Sequence, residues 1–350
     1  MGTDSVTCKS NMTSISTLSE FLLQSGCQYR VYDLGRGIRK LSTQQFLDIE
    51  NNKQPHPYPR LGFAWVAVLF WNKQLSGQHY IWFLKLPLDE QGMLVSAARN
   101  HFLGIVLEAL GRQMDNKSPD ELPEHPYGFV PGAQQMADFN SAVRHALKLP
   151  ETDYQKAALA YLQTPAAFNW QDVPLQGLAD IVARLNENSI RALFLSCFNQ
   201  LNEAVQLSLL NSLENHKIDV SLSEFVLQQM ATHEQQSAWQ IACLRALSQS
   251  QADGLVTAKL TALLNQTTET DTNLMITISG RHWYRLTHEG LLDRFMDRLA
   301  TQAPSLFAPV FADLVRLPEL RANMLSLLRR PDKSDALTQA IGRLFSETQA

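Results

Sequence analysis

The sequence predicts an α+β N-terminal module with a small antiparallel sheet, followed by a mostly all-α C-terminal region of HEAT-like helical hairpins or an irregular helical array. Three observations predict it. Short apolar runs near residues 29–33, 61–71 and 78–86 have the length and boundaries of strands. From about Gly132 onward the hydrophobic period is helical almost throughout. Between these parts, residues 112–132 carry Pro119, Pro123, Pro126 and Pro131, and repeated proline blocks helix and central strand alike. The expected organisation is a flexible extension over residues 1–13, an α/β module over 14–111, a Pro-rich linker or loop over 112–132 and a helical-repeat-like domain over 133–350.

Met1 to Asn11 lacks a basic region followed by an apolar core, so it does not read as a secretory signal, and Met12 is an alternative start. Thr17-Leu18-Ser19-Glu20 is a capping box opening a helix that Gly26 ends. Tyr29–Asp33 reads as a strand. Ser42 to Gln45 is a second capping box, and Gln54 to Pro59 breaks the helix it opens. Leu61–Trp71 is apolar on both alternating faces, which predicts a strand covered on both sides. The turn-like Gln74-Leu75-Ser76-Gly77 pairs it with Gln78–Leu86. Leu94–Leu110 is a helix with Leu94, Ala98, Phe102 and Ile105 on one stripe.

Thirteen helices are expected beyond Gly132, from Gln134–Leu147 to Asp335–Phe345, with Leu175–Asn186 and Asn273–Leu286 among them. A two-helix cadence recurs in the segments beginning LADIVARL, SLSEFVLQQM and LLDRFMDRLA. Each has an apolar helix, a short polar turn and a second helix rich in Ala and Leu, which resembles stacked HEAT-like hairpins.

Charge is unevenly placed. Residues 1–150 carry 14 basic and 13 acidic side chains, residues 151–279 carry 6 and 13, and residues 280–350 carry 10 and 8. The acidic middle repels phosphate backbones and disfavours nucleic acid along the whole chain. The longest apolar run is far short of the ~20 residues that span a bilayer, so no membrane segment is expected. Cys8, Cys27, Cys197 and Cys243 form no CxxC pair, a pattern expected of reduced thiols in the cytoplasm.

No nucleotide loop, HExxH zinc motif or GxSxG elbow occurs. No metal or cofactor is expected. The richest segment runs from Gly280 to Glu289. Arg281, Arg285 and His288 would share one face of a helix, with His282, Trp283 and Tyr284 beside them, a face suited to an acidic peptide or a phosphate. A solenoid edge with Trp283 packed inward is the bland alternative. A turn after the first strand groups Arg36, Arg39 and Lys40 near Gly35 and Gly37 as an anion-binding candidate, against a solvated turn. Asp89, Glu90, Arg99 and His101 form an acid–base cluster near the sheet, although helix capping explains the two acids equally well.

The run STLSEFLLQSGCQYRVYDLGRGIRKLSTQQFLDIENN, with FWNKQ and HYIWFLKLPLDEQG after it, resembles an uncharacterised gamma-proteobacterial family of unknown function. The resemblance runs from about Met12 to the end and implies a bacterial, cytoplasmic protein without implying an activity. The residues therefore point first to a non-catalytic scaffold or adaptor that binds a protein or peptide partner. An enzyme with a site between module and helices, using Asp89, Glu90, Arg99 and His101, is the alternative. Nucleic-acid binding through Arg281, Arg285, Arg316, Arg321, Arg329 and Arg330 is weaker.

Overall fold

The computed structural model describes residues 15–72, 79–114, 124–266 and 271–347. The N-terminal extension, the Gln74–Gly77 turn and the centre of the Pro-rich stretch lie outside the described residues.

The module is a four-stranded antiparallel sheet in the order β2-β1-β3-β4, formed by β1 (Gln28–Asp33), β2 (Arg39–Leu41), β3 (Phe63–Trp71) and β4 (His79–Pro87). Val31 of β1 faces Leu41 on one side and Val68 on the other, and Ala67 of β3 faces Phe83 of β4. Because side chains alternate across a strand, β3 feeds two cores. Ala64, Val66 and Val68 point to one face, against Leu18, Phe21, Phe46, Ile49 and Phe102. Ala67 and Leu69 point to the other, against Tyr32, Leu34, Phe139 and Val143. The all-apolar strand is thus covered on both sides, as its sequence predicts. Helices α1 (Leu18–Gln24), α2 (Thr43–Glu50) and α3 (Ser96–Met114) cover the first face.

Capping chemistry sets the first helix starts. Thr17 and Ser42 hydroxyls accept from the amides of Glu20 and Gln45, each at 3.0 Å. The Glu20 carboxylate reaches back to the Ser16 amide, one residue before the position expected of a capping box. The α1 amides of Leu18 and Ser19 are met by the buried Glu50 carboxylate at the end of α2.

The helices that follow are α4 (Ala133–Ala146), α5 (Asp153–Gln163), α6 (Leu175–Val182), α7 (Asn188–Cys197), α8 (Glu203–Leu213), α9 (Val220–Thr232) and α10 (Ser237–Ala246). Then come α11 (Asp253–Asn265), α12 (Thr272–Arg281), α13 (Leu291–Gln302), α14 (Pro304–Leu314), α15 (Pro318–Arg329) and α16 (Asp335–Glu347). Packing is ordered. α4 touches α6, α6 touches α8, α8 touches α10, α10 touches α12 and α12 touches α14. α5 touches α7 and α11 touches α13, on the other side of one continuous core that runs from Ala158 to Ile341. Helices α4, α6, α8, α10, α12 and α14 thus form one row, here called the inner layer because the module packs against it, and α4 closes the sheet's second face through Phe139 and Val143.

Three local expectations are corrected. Arg39–Leu41 pairs with β1 as a short edge strand where sequence reading has only a turn. The expected strand from Leu61 begins at Phe63, because Leu61 and Gly62 form a turn with φ of 51° and 80°. The expected helix Asn273–Leu286 ends at Arg281, and Trp283–Thr287 forms a separate 3-10 helix.

Candidate functional site

The break after Arg281 undoes the expected shared face of Arg281, Arg285 and His288. Its cause is His282, a buried ring with Nε2 donating to the Leu244 carbonyl at 2.8 Å. Nδ1 then accepts from the Arg285 guanidinium at 2.9 Å. Burial, helped by Arg285, pushes this imidazole down to about 3, which keeps it neutral with one donor and one acceptor nitrogen. Arg285 is itself buried. It meets the carboxylate of Asp253 at 2.9 Å and the Ser250 carbonyl at 3.2 Å, placing a cation at the C-terminal end of the α10 segment. Tyr284 donates to the Ser248 carbonyl at 2.7 Å, and Trp283 packs inward beside Tyr58. His288 is exposed, 3.1 Å from Asp253, and Arg281 stays part-exposed. His282, Tyr284 and Arg285 therefore stitch this segment to α10 and the residues just after it, while Trp283 packs against the module.

Arg36, Arg39 and Lys40 do not converge either. Asp33 Oδ1 accepts from the amides of Gly35 and Arg36, turning the chain so that Arg36 points into the array. Gly37, at φ 110°, completes the turn in a conformation closed to other residues. The Arg36 guanidinium donates to the Pro59 carbonyl at 2.7 Å, the Ser279 carbonyl at 3.1 Å and Asp313 at 2.6 Å. Arg39 lies over the Tyr58 ring at 5.3 Å, and Lys40 is exposed on β2. The expected anion turn is a plug seated in the inner layer.

The four acid–base candidates are held by different neighbours. Asp89 Oδ1 accepts from the amides of Gln91 and Met93, each at 2.8 Å. The carbonyl of Glu90 accepts from Arg321 at 2.7 Å. Arg99 is buried against the carbonyl of Glu50 and the side chain of Asn100. His101 is exposed and meets the Tyr127 hydroxyl at 3.0 Å. Among the described residues, no group of three or more His, Cys, Asp or Glu side chains is placed to hold a metal ion.

The residues that do gather line an open cleft of about 540 Å³ between the module and the inner layer. One bank is Gly35-Arg36 and the turn at Arg60-Leu61. The other is α10, α12 and α14. The wall is apolar, from Ile241, Ile276, Leu306, Pro309 and Val310, and the floor carries Arg36, Arg245 and Arg281. Beneath it the buried Glu214 accepts from Arg245 at 2.7 Å and from Arg281 at 2.9 Å. Burial opposes its charge, but the two guanidiniums outweigh burial and hold the carboxyl at about 2.

The turn on the near bank is unusual. Arg60 and Phe63 bond through both backbone amides, at 3.0 and 3.1 Å, so Leu61 and Gly62 form a two-residue turn. Positive φ at both central positions suits Asn or Gly. Leucine there costs about 1–2 kcal/mol of backbone strain. The Leu61 amide is clamped by Asp313 at 2.7 Å, while its side chain is 58% exposed at the cleft. Ile276, on the α12 bank, is 47% exposed. Of this site, sequence reading named Arg36 and Arg281 as binding candidates, with Gly35 and Gly280 beside them. The signals it offered for the rest were Gly62 directly after an apolar residue and Pro309 inside an amphipathic helix.

The fold and site define a class: a small α/β module plugged into a layered helical array, with a cationic, apolar-walled cleft at the junction. The chain belongs to the family described as "Protein of unknown function (DUF3549)", whose model matches residues 13–345. No curated protein and no solved structure matches it.

Proposed function

We propose that this protein is a non-catalytic interaction scaffold, and that the cleft between module and array is where a partner protein docks. One observation carries the reading. An exposed leucine is held in a strained turn, with an exposed isoleucine on the opposite bank. Backbone strain that folding alone does not need is concentrated at functional positions. Exposed apolar groups rimmed by cations are a pattern of recognition surfaces. The neighbouring carboxylates support binding over turnover, since Glu214 is held by two arginines and Asp313 by Arg36 and the Leu61 amide.

The succession of even-numbered helices supports a HEAT-like solenoid as the parent architecture. In such arrays the inner layer is the usual docking face; here the module already fills part of it. The unpaired Cys27, Cys197 and Cys243 fit a reducing, cytoplasmic setting, and burial pushes the Cys197 and Cys243 thiols up to about 11 and about 12. No described helix is long and apolar enough to cross a membrane.

Site-specific photo-crosslinking in the full chain tests this. A photoreactive residue at Ile276 is expected to give a discrete protein adduct in cells. The same residue at Leu255, equally exposed on α11 but off the cleft, is expected to give none. Equal labelling from both positions, or none from Ile276, overturns the scaffold reading.

A further inference from the structure

The scaffold reading leaves the partner's chemistry open, and the cleft's charges and walls narrow it. Four guanidiniums, of Arg36, Arg60, Arg245 and Arg281, stand against two carboxylates, Glu214 and Asp313. Their bonding is unequal. Arg36 is matched one to one by Asp313. Glu214 serves Arg245 and Arg281 together. Among the described residues no carboxylate is bonded to Arg60, whose guanidinium reaches the Gly35 carbonyl at 3.4 Å and lies 5.6 Å from the Trp65 ring. Among these bonded groups the guanidiniums outnumber the carboxylates by two, with Asp33 a further carboxyl nearby. Desolvation makes the Arg60 guanidinium easier to deprotonate, and the nearby charges of Arg281 and Arg36 add to the effect, against the opposing pull of Asp313 and Asp33. That crowding is relieved by an anion.

The remaining surface excludes a bare anion as the best occupant. Ile241, Ile276, Leu306, Pro309 and Val310 form one apolar wall, and Leu61 overhangs from the other side. The volume falls within the ~300–1,000 Å³ typical of ligand clefts, yet this one is open rather than enclosed. An extended or helical segment can therefore lie in it and continue past both ends. Asn273, exposed at the start of α12, adds an amide able to bond a peptide backbone.

Resting on the scaffold reading, we infer that the cleft binds an acidic amphipathic peptide segment of a partner protein, its carboxylates on Arg60 and Arg281 and its apolar side chains between Leu61 and Ile276. The strain at Leu61 has a use in this arrangement. A glycine would relax the turn and leave the cleft without its apolar overhang. The anchor is thus kept at a cost in stability.

The test is titration of the full-length protein with a short synthetic peptide alternating Asp or Glu with Leu or Phe, read by fluorescence anisotropy. Comparators are the same peptide with Asn and Gln, the same with Lys, anionic phospholipid vesicles, and oleate as a small apolar carboxylate. Only the acidic peptide is expected to bind well, and to weaken about tenfold between about 50 and about 300 mM salt, as screened ion pairs must. Arg60→Gln is expected to weaken it about tenfold, and Arg343→Gln on the exposed face of α16 to change nothing. Leu61→Gly supplies the second arm: binding falls about fivefold while the melting temperature stays level or rises. Equal binding of the neutral or basic peptide, a preference for vesicles or oleate, or full binding by both variants overturns the acidic-peptide assignment. So does no binding by any peptide. If the Ile276 crosslink persists in those cases, the scaffold reading stands and only the partner chemistry is wrong.

Discussion

At the residue scale, two buried groups show how burial sets charge. Asp33 and His56 are fully buried, with Oδ2 and Nε2 3.7 Å apart, too far for a hydrogen bond. His56 Nδ1 accepts from the Tyr58 amide at 3.2 Å, so Nε2 carries the proton. Burial pushes His56 down to about 3 and Asp33 up to about 7, the latter against the pull of two amides and two arginines. The contact is therefore no ion pair in mildly acidic solution. Between the unfolded aspartate value of ~3.9 and about 7, the folded chain holds a proton at Asp33 that the unfolded chain has released. Stability from this group is complete below the unfolded value and is lost as pH rises through 7. Asp33→Asn keeps the acceptor for Gly35 and Arg36 and removes the titration. Relative to the parent, the variant should gain on the order of 4 kcal/mol between about pH 4 and about pH 8. Urea denaturation across that range checks it, and a pH-independent difference sinks the assignment. None of this was legible in the sequence. Asp33 read as a strand end and Arg36 as a cation of an anion-binding or solvated turn, because direction, unlike residue type, depends on what the distant Ser279 and Asp313 offer.

At the element scale, helix approach distances depend on side chains that are missing. A Cβ on Gly177 of α6 would sit 2.1 Å from the Tyr154 carbonyl oxygen and 2.9 Å from the Ala158 Cβ of α5. The obstacle is backbone, which cannot rotate aside. Gly177→Ala should destabilise by about 2–4 kcal/mol despite alanine's better helix propensity. A Cβ on Gly342 of α16 would meet nothing within 4 Å, so Gly342→Ala should gain about 0.5–1 kcal/mol. Opposite shifts in urea midpoint are expected for the two variants; a shared sign means that α5 and α6 cross with room to spare. Helices were the most legible part of the sequence, since their apolar stripes are local and long. Their ends were less so. α12 ends where His282 bonds to α10 and Arg285 to the carbonyls just after it, a tertiary cause that no window of sequence contains. β2 was invisible for a similar reason: Arg39–Leu41 is too short and too polar to declare a strand without β1 beside it.

At the scale of the whole molecule, module and array are joined by polar bonds aimed from one into the other. Arg36 reaches Ser279 and Asp313, the Ile38 amide donates to Asn215 at 2.9 Å, Gln135 donates to the Leu34 carbonyl at 2.8 Å, and Arg321 reaches Glu90. The sequence showed two kinds of periodicity and so two regions, but not that the turn between β1 and β2 would enter the helical layer. The joint makes Arg36 a test of cooperativity. Arg36→Met fills similar volume but leaves Asp313 without its guanidinium and the Ser279 carbonyl without this donor. Removing one partner of such a buried pair costs about 3–5 kcal/mol. If module and array unfold as one unit, the parent melts in a single transition and the variant in a single lower one. If the plug is what couples them, the variant separates: hydrogen exchange should quicken in β1, β2 and α12–α14 well before the α5–α9 core opens. Adding Asp313→Asn should then recover part of the loss, because the uncompensated charge, and not the missing arginine, is the larger penalty. Recovery would place the coupling in the ion pair. Failure to recover would place it in the bonds that Arg36 makes to Pro59 and Ser279, which the second substitution leaves unmade.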